Sequence, residues 1–114
     1  MLVAQGRAWR ATLDTGTQTV RVGLQKDAVD EEHKEVREFR LDIPLDKWGM
    51  VVKHARNDRK LLGGVVLELA NDDDQLALIL GNDRLYGELQ RVVIDATVAL
   101  VECGALGMTP SDRS

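Results

Sequence analysis

Residues 82–104 read NDRLYGELQRVVIDATVALVECG, and this stretch decides the fold. On a helical wheel one stripe of it collects the side chains that would face a core, namely Leu85, Leu89, Val92, Val93, Ala96, Ala99, Leu100 and Cys103. Asn82 or Asp83 is suited to cap the start of a helix, and Gly104 to end it. The pattern predicts a long amphipathic C-terminal helix. Its many β-branched residues lower helix propensity, so a strand over residues 91–101 stays open as an alternative.

The same helix carries a second apolar stripe on its opposite side. This stripe comprises Ile94, Val98 and Val101, at spacings of i, i+4 and i+7. A helix that packs on a sheet needs only one apolar face, and the rest of the chain offers little to cover another. We therefore expect Ile94, Val98 and Val101 to mediate self-association as a homodimer, or to form a groove for a partner.

Strict alternation of apolar and polar residues predicts strands upstream of this helix. Three such runs are residues 9–13, 20–24 and 37–43, and Gly16 is expected to supply the positive φ of a turn between the first two. The charged segment Lys26–Lys34 is predicted to be a loop. Two further runs, residues 65–69 and 76–80, flank Asn71–Asp74 and indicate a second hairpin with Asp72, Asp73 and Asp74 at its tip.

The period changes to that of a helix after Pro44. Five residues then form one apolar stripe, namely Leu45, Trp48, Val51, Val52 and Ala55, and Gly63–Gly64 closes the segment. The predicted order of elements is βββ-α-ββ-α. This is an α+β fold with a mostly antiparallel five-stranded sheet and two helices. Residues 1–106 are expected to form a single domain, and residues 107–114 a disordered tail.

Composition excludes several classes of protein. The chain has 114 residues, 19 acidic against 15 basic, and only four aromatic side chains, so its core must be aliphatic. Cys103 is the only cysteine, which excludes a disulfide framework within the chain. Together with His33 and His54 it does not make a structural zinc set, and we expect no metal and no cofactor. Neither a signal peptide nor a membrane span is evident, so a cytoplasmic location is expected.

Most catalytic motifs are missing. The serines are Ser111 and Ser114, both in the predicted tail, and neither a phosphate-binding loop nor a dinucleotide-binding fingerprint occurs. Cys103 is predicted to be a buried structural residue, because it falls on the core stripe of the last helix. The alternative to a binding protein is a small-molecule-binding domain or a small acid–base enzyme. Such a protein would have a pocket between sheet and helices, with Glu68, His54 or Asp74 at its mouth.

Charges occur in blocks. Acidic residues concentrate in the predicted loop at Asp30, Glu31 and Glu32 and at the predicted hairpin tip at Asp72, Asp73 and Asp74. Exposed carboxylates of this kind suit electrostatic steering toward a basic protein. Basic residues concentrate on the first predicted helix, where Lys53, Arg56 and Lys60 lie close together on the wheel and form a weak candidate anion site.

These features favour a protein partner. Nucleic acid is an unlikely partner, because the whole chain is acidic and Trp48 belongs to the apolar stripe. The order of elements in a small acidic chain is similar in architecture to bacterial secretion chaperones and to toxin-neutralising immunity proteins, and this resemblance implies protein binding. We therefore expect a non-enzymatic acidic protein-binding module that engages a basic partner and self-associates through its C-terminal helix.

Overall fold

The computed structural model describes residues 1–25 and 39–106, and all structural statements below concern these residues. A four-stranded antiparallel sheet has the order β1-β2-β3-β4, with strands β1 (Leu2–Gln5), β2 (Trp9–Asp14), β3 (Thr19–Leu24) and β4 (Arg40–Pro44). Four α-helices follow, α1 (Leu45–Asn57), α2 (Arg59–Val66), α3 (Asp73–Leu80) and α4 (Asp83–Glu102), with a 3-10 turn at Leu67–Leu69. The α+β class is confirmed.

The predicted number of strands and helices was wrong. Two of the five predicted strands, residues 65–69 and 76–80, are helical or in a 3-10 turn, and β1 was not predicted, so the described sheet has four strands. The described residues form four helices instead of the two predicted. Two aspartates explain the error. Asp58 Oδ1 accepts hydrogen bonds from the backbone of Lys60 and Leu61, and Asp72 Oδ1 accepts them from Asp74 and Gln75. Each therefore caps the start of a helix, so Asp58 divides the first predicted helix and Asp72 begins α3.

Strand β1 was not expected from the sequence. It pairs with β2 in the register Gln5↔Arg10, with an irregularity between Leu2 and Ala4. The terminal ammonium of Met1 donates to the carbonyl of Leu13 at 2.9 Å. This edge strand extends the hairpin formed by β2 and β3, which the alternation did predict.

The turn between β2 and β3 has a different geometry from the one expected. The positive φ falls on Gln18, at 52°, rather than on Gly16. Asp14 Oδ1 accepts hydrogen bonds from the backbone of Gly16 and Thr17, at 2.9 and 3.3 Å, and fixes the first half of the turn in this way. The left-handed residue therefore comes at the end of the turn, next to Thr19.

The predicted long C-terminal helix is present as α4, so a strand over residues 91–101 is ruled out. The side chain of Asn82 accepts hydrogen bonds from the backbone of Arg84 and Leu85 and caps its start. At its end Gly104 has φ +78°, the backbone of Ala105 donates to the carbonyl of Leu100, and Gly104 donates to Val101. This pair of bonds is a Schellman motif, which satisfies carbonyl groups at the end of the helix.

The helices cover one face of the sheet. The inward side chains of the strands are buried, among them Trp9, Ala11, Leu13, Val20, Val22, Leu24, Leu41 and Ile43. The indole of Trp9 anchors α4 to this face, because its Nε1 donates to the carbonyl of Leu85 at 2.9 Å. Trp9 also meets the ring of Phe39 edge-on, with centroids 6.0 Å apart. Of the helices in the described ranges, none combines the length and the apolar character needed to cross a membrane.

Candidate functional site

Helix α4 has two packed sides and one open side. Its sheet side includes the buried residues Val92 and Ala96. Its second side meets α1, where the side chains of Trp48 and Thr97 are hydrogen-bonded at 2.9 Å. On the open side Ile94 is 43% exposed and Val98 is 53% exposed. The structure therefore places these two residues of the predicted self-association stripe on the surface of this chain.

Val101 is the third residue of that stripe, and it is half-buried. Gly87 extends the stripe toward the start of the helix, seven residues before Ile94. A Cβ atom placed on Gly87 would meet nothing within 4 Å, so the helix has a shallow notch there. An open groove of about 670 Å³ lies beside the notch, between α4 and the β1–β2 connection at Gly6 and Arg7.

Charged side chains are arranged symmetrically along one flank of this open side. On the helical wheel Arg84, Arg91, Asp95 and Glu102 fall on the same flank of the stripe, and all four are exposed. The two basic residues precede position 93 and the two acidic residues follow it, at equal distances in sequence. A second copy of α4 in the antiparallel direction would therefore place arginine opposite carboxylate along this whole flank.

The predicted acidic hairpin tip is instead the first turn of α3. Asp72 uses its carboxylate to cap the helix, whereas Asp73 and Asp74 are exposed and complement the positive end of the helix dipole. Asp73 lines a shallow hollow together with Glu68 and Leu67, and Leu67 is 49% exposed. The other predicted acidic residues, Asp30, Glu31 and Glu32, lie outside the described residues, as do residues 107–114 and His33.

The predicted basic ridge is divided between two helices. Lys53 and Arg56 lie on α1, whereas Lys60 lies on α2, beyond the break at Asp58. A single helical wheel therefore does not describe the three side chains, although all are exposed. Anion binding by Lys53, Arg56 and Lys60 stays a prediction.

The residues suggested for an acid–base pocket do not share one hollow. Glu68 forms an ion pair with Lys47 at 3.3 Å, and the hollow that it lines includes neither His54 nor Asp74. His54 lies half-buried on α1, and Asp74 is exposed on α3. Between the sheet and the helices, the described residues form a core of closely packed apolar side chains.

Cys103 lies in a different environment from the one that the sequence predicts. Cys103 is exposed at the end of α4, where its thiol donates to the carbonyl of Leu100 at 3.4 Å, so the expected burial was wrong. Among residues 1–25 and 39–106, no group of three or more His, Cys, Asp or Glu side chains is placed to hold a metal ion.

The open face of the sheet carries a cluster that sequence reasoning missed. Arg10, Gly23 and Arg40 are Cα partners in one row across β2, β3 and β4, and Arg21 and Asp42 are partners in the next row. The four charged side chains point away from the helices, because these residues alternate along the strands with residues whose side chains face the helices. The sequence shows an arginine at an outward-facing position in each of three strands. It does not show that these arginines are neighbours, because that depends on the register of the strands.

The three arginines of this face have few carboxylates with which to form ion pairs. Arg21 Nε donates to Asp42 Oδ1 at 2.8 Å, and this hydrogen bond raises the pKa of Arg21. Arg40 Nε is 3.6 Å from Asp42 Oδ2, is shielded from solvent and has no hydrogen-bond partner among the described atoms. Arg10 forms no ion pair with a described residue.

Compared with known proteins, this chain matches no family model, no curated protein and no solved structure.

Proposed function

We propose that the protein is a non-enzymatic protein-binding module that self-associates through α4. The observation that carries this proposal is the exposure of Ile94 and Val98 on a helix whose two other sides are already packed. Apolar side chains on the surface of such a helix are typical of a contact with another protein chain. A second copy of α4 fits this face, because the charged flank beside it is complementary in charge to the same flank of an antiparallel copy.

The proposed dimer is an antiparallel pair of α4 helices with a two-fold axis near residue 93. In that arrangement Arg91 lies opposite Asp95 of the partner subunit, and Arg84 opposite Glu102 of the partner subunit. About this axis Val98 is level with position 88 of the partner subunit, within one residue of Gly87 of the partner subunit, whose notch has room for its methyl groups. The apolar stripe and the charged flank thus support the same register.

We further propose that the first turn of α3 contacts a basic partner protein. Asp73 and Asp74 are exposed there, and neither is paired with a described residue. Exposed Leu67 lines the same hollow as Asp73, and Leu78 lies one helical turn after Asp74 and is also exposed. Carboxylates next to exposed leucines suit a partner segment that carries both lysine and apolar side chains.

Sedimentation equilibrium of the whole chain tests the self-association. Val98→Glu should convert the dimer to a monomer, because it buries a charge in the interface. Leu61→Glu is the matched control, since Leu61 on α2 is also 53% exposed but lies outside the stripe, and it should leave the dimer intact. A monomeric native chain at high concentration, or a Val98→Glu variant that remains dimeric, would refute self-association through α4.

Charge exchange tests the register. Arg91→Glu alone should weaken the dimer, because the introduced carboxylate would face Asp95 of the partner subunit. Adding Asp95→Arg to the same chain should restore the dimer, because the opposite charges then face each other again. A double variant no tighter than the single one would contradict the antiparallel register.

Titration with an amphipathic peptide of alternating lysine and leucine tests the acidic contact. Asp73→Asn with Asp74→Asn should weaken binding, and salt should weaken the native interaction in the same direction. Asp46→Asn is the matched control, because Asp46 is an exposed carboxylate in the first turn of another helix, α1. Salt-insensitive binding, or an equal loss in the control variant, would refute this contact.

A further inference from the structure

We propose that the open face of the sheet binds the carboxylate groups of an acidic peptide segment, at Arg10, Arg21 and Arg40 around Gly23. The cluster is brought together by strand register. Arg10 and Arg40 are the Cα partners of Gly23 on either side, and Arg21 lies two residues before Gly23 on the same face of β3. Neighbouring strands are about 4.8 Å apart, so the Cα atoms of Arg10 and Arg40 are about 10 Å apart. Gly23 lies between them and contributes no side chain.

Gly23 makes the space that a ligand would occupy. A Cβ atom added there would meet only the carbonyl oxygen of Phe39, at 3.8 Å, so the position above the glycine is open. A hollow of about 280 Å³ lies at this point, and Arg10, Arg21 and Gln25 line it, whereas Arg40 does not. A carboxylate in this slot would be within reach of arginines from more than one strand.

The guanidinium groups retain unused hydrogen-bonding capacity. Arg21 and Arg40 both face the single carboxylate of Asp42, and Arg10 has no described partner. The four charged groups give this face a net positive charge although the whole chain has a net charge of −4. An incoming carboxylate would supply acceptors in the planar geometry that arginine binds best.

An acidic peptide suits this face better than a nucleic acid. The aromatic residues of the sheet region, Trp9 and Phe39, are buried on the inner side, so bases would find no stacking partner among them. Asp42, within the cluster, and Asp14, at the end of β2, would repel a continuous phosphate backbone. Separate carboxylates on an extended peptide can avoid these acidic positions and still reach the arginines.

Fluorescence titration of the whole chain with a labelled glutamate-rich peptide tests this inference. Replacement of Arg10, Arg21 or Arg40 by Gln should each weaken binding by roughly fivefold or more, because each removes a charge-assisted hydrogen-bond donor. Arg7→Gln is the control, because Arg7 is exposed at the connection between β1 and β2, outside the open face of the sheet, and it should bind as the native chain does. Gly23→Val should keep the fold, as judged by circular dichroism, but should block the slot and weaken binding.

Three results would overturn the inference. The first is a native chain that binds the glutamate-rich peptide no better than the same peptide with glutamine. The second is an equal loss of affinity in Arg7→Gln and in the three sheet variants. The third is a single-stranded or double-stranded oligonucleotide that binds more tightly and displaces the peptide. Val98→Glu should bind the peptide normally, so failure of the α4 dimer and failure of this site are distinguishable.

Discussion

Nε1 of Trp48 donates a hydrogen bond to Oγ1 of Thr97 at 2.9 Å, and this contact joins α1 to α4. The Thr97 hydroxyl in turn donates to the carbonyl of Val93 at 2.8 Å, so its orientation is fixed within α4. Near the other end of the two helices, the Tyr86 hydroxyl donates to the carbonyl of Ala55. The helices are therefore antiparallel, and α4 is held at two points along α1. This fixes the rotation of α4 that leaves Ile94 and Val98 at the surface.

Thr97→Val should destabilise the fold by about 1–3 kcal/mol, because it leaves the fully buried indole N–H of Trp48 without an acceptor. Thr12→Val is the matched control, since Thr12 lies on the open face of the sheet and its hydroxyl has no described partner. That variant should stay within about 0.5 kcal/mol of the native chain. Denaturant unfolding at one fixed protein concentration measures both free energies. Equal stability of the two variants would show that the contact contributes little.

Tyr86 should make the fold less stable at alkaline pH. Burial raises the pKa of the Tyr86 phenol above its ordinary value of 10.0, although the Arg59 guanidinium, 4.3 Å from the ring centre, opposes part of the shift. The folded chain therefore keeps this proton at a pH where the unfolded chain has lost it. The contribution of the protonated Tyr86 phenol to the free energy of unfolding is fully present below about pH 10. It is lost as the pH rises through the higher pKa of the folded state.

Tyr86→Phe isolates this effect. The variant should be less stable than the native chain by about 1 kcal/mol at neutral pH, because it loses the hydrogen bond to Ala55. The difference should shrink above about pH 10, because Phe has no proton to lose. Tyr86 is the only tyrosine, so tyrosinate absorbance reports its pKa directly. A midpoint at or below that of free tyrosine would contradict the raised pKa.

The sequence predicted those elements in which pattern and local chemistry agree. Strands β2 and β3 alternate cleanly, and α4 has a cap residue, a long apolar stripe and a terminal glycine. Residues 65–69 and 76–80 were mistaken for strands because Leu, Val and Ala are compatible with either period over five residues. The deciding interactions were the caps at Asp58 and Asp72, and Asp residues before an apolar run also occur in turns.

The candidate surfaces were predictable to different extents. Ile94 and Val98 were found from their helical spacing, because one helix contains the whole pattern. The arginines of the sheet could not be assembled in the same way, since Arg10, Arg21 and Arg40 come from three strands. Their proximity depends on register, and register depends on which side chains pack in the core and on the turn at Asp14–Gln18.

Asp72 should contribute to stability through its side-chain oxygen rather than its charge. Asp72→Ala removes the acceptor for the backbone of Asp74 and Gln75 and should cost about 1 kcal/mol of unfolding free energy. Asp72→Asn keeps that acceptor and should remain close to the native stability. Thermal unfolding of both variants compares them. A loss in Asp72→Asn as large as in Asp72→Ala would mean that the charge, and not the cap, is responsible.

Gly87 links the stability of α4 to the proposed dimer. Gly87→Ala should stabilise the folded chain by about 0.8–1 kcal/mol, because it lies inside a helix and a Cβ atom there has free space. In the antiparallel pair, however, that methyl group would occupy the notch for Val98 of the partner subunit. The same change should therefore weaken dimerisation while it raises the stability of each chain.

Gly49→Ala separates the two effects. Gly49 lies in the interior of α1, where an added Cβ atom also meets nothing within 4 Å, so the gain in helix stability should be the same. It lies outside the α4 stripe, so the dimer dissociation constant should not change. Sedimentation equilibrium and denaturant unfolding of both variants give the two quantities separately. If Gly87→Ala dimerises as tightly as Gly49→Ala while Val98→Glu is monomeric, α4 forms the interface in a register other than the one centred near residue 93.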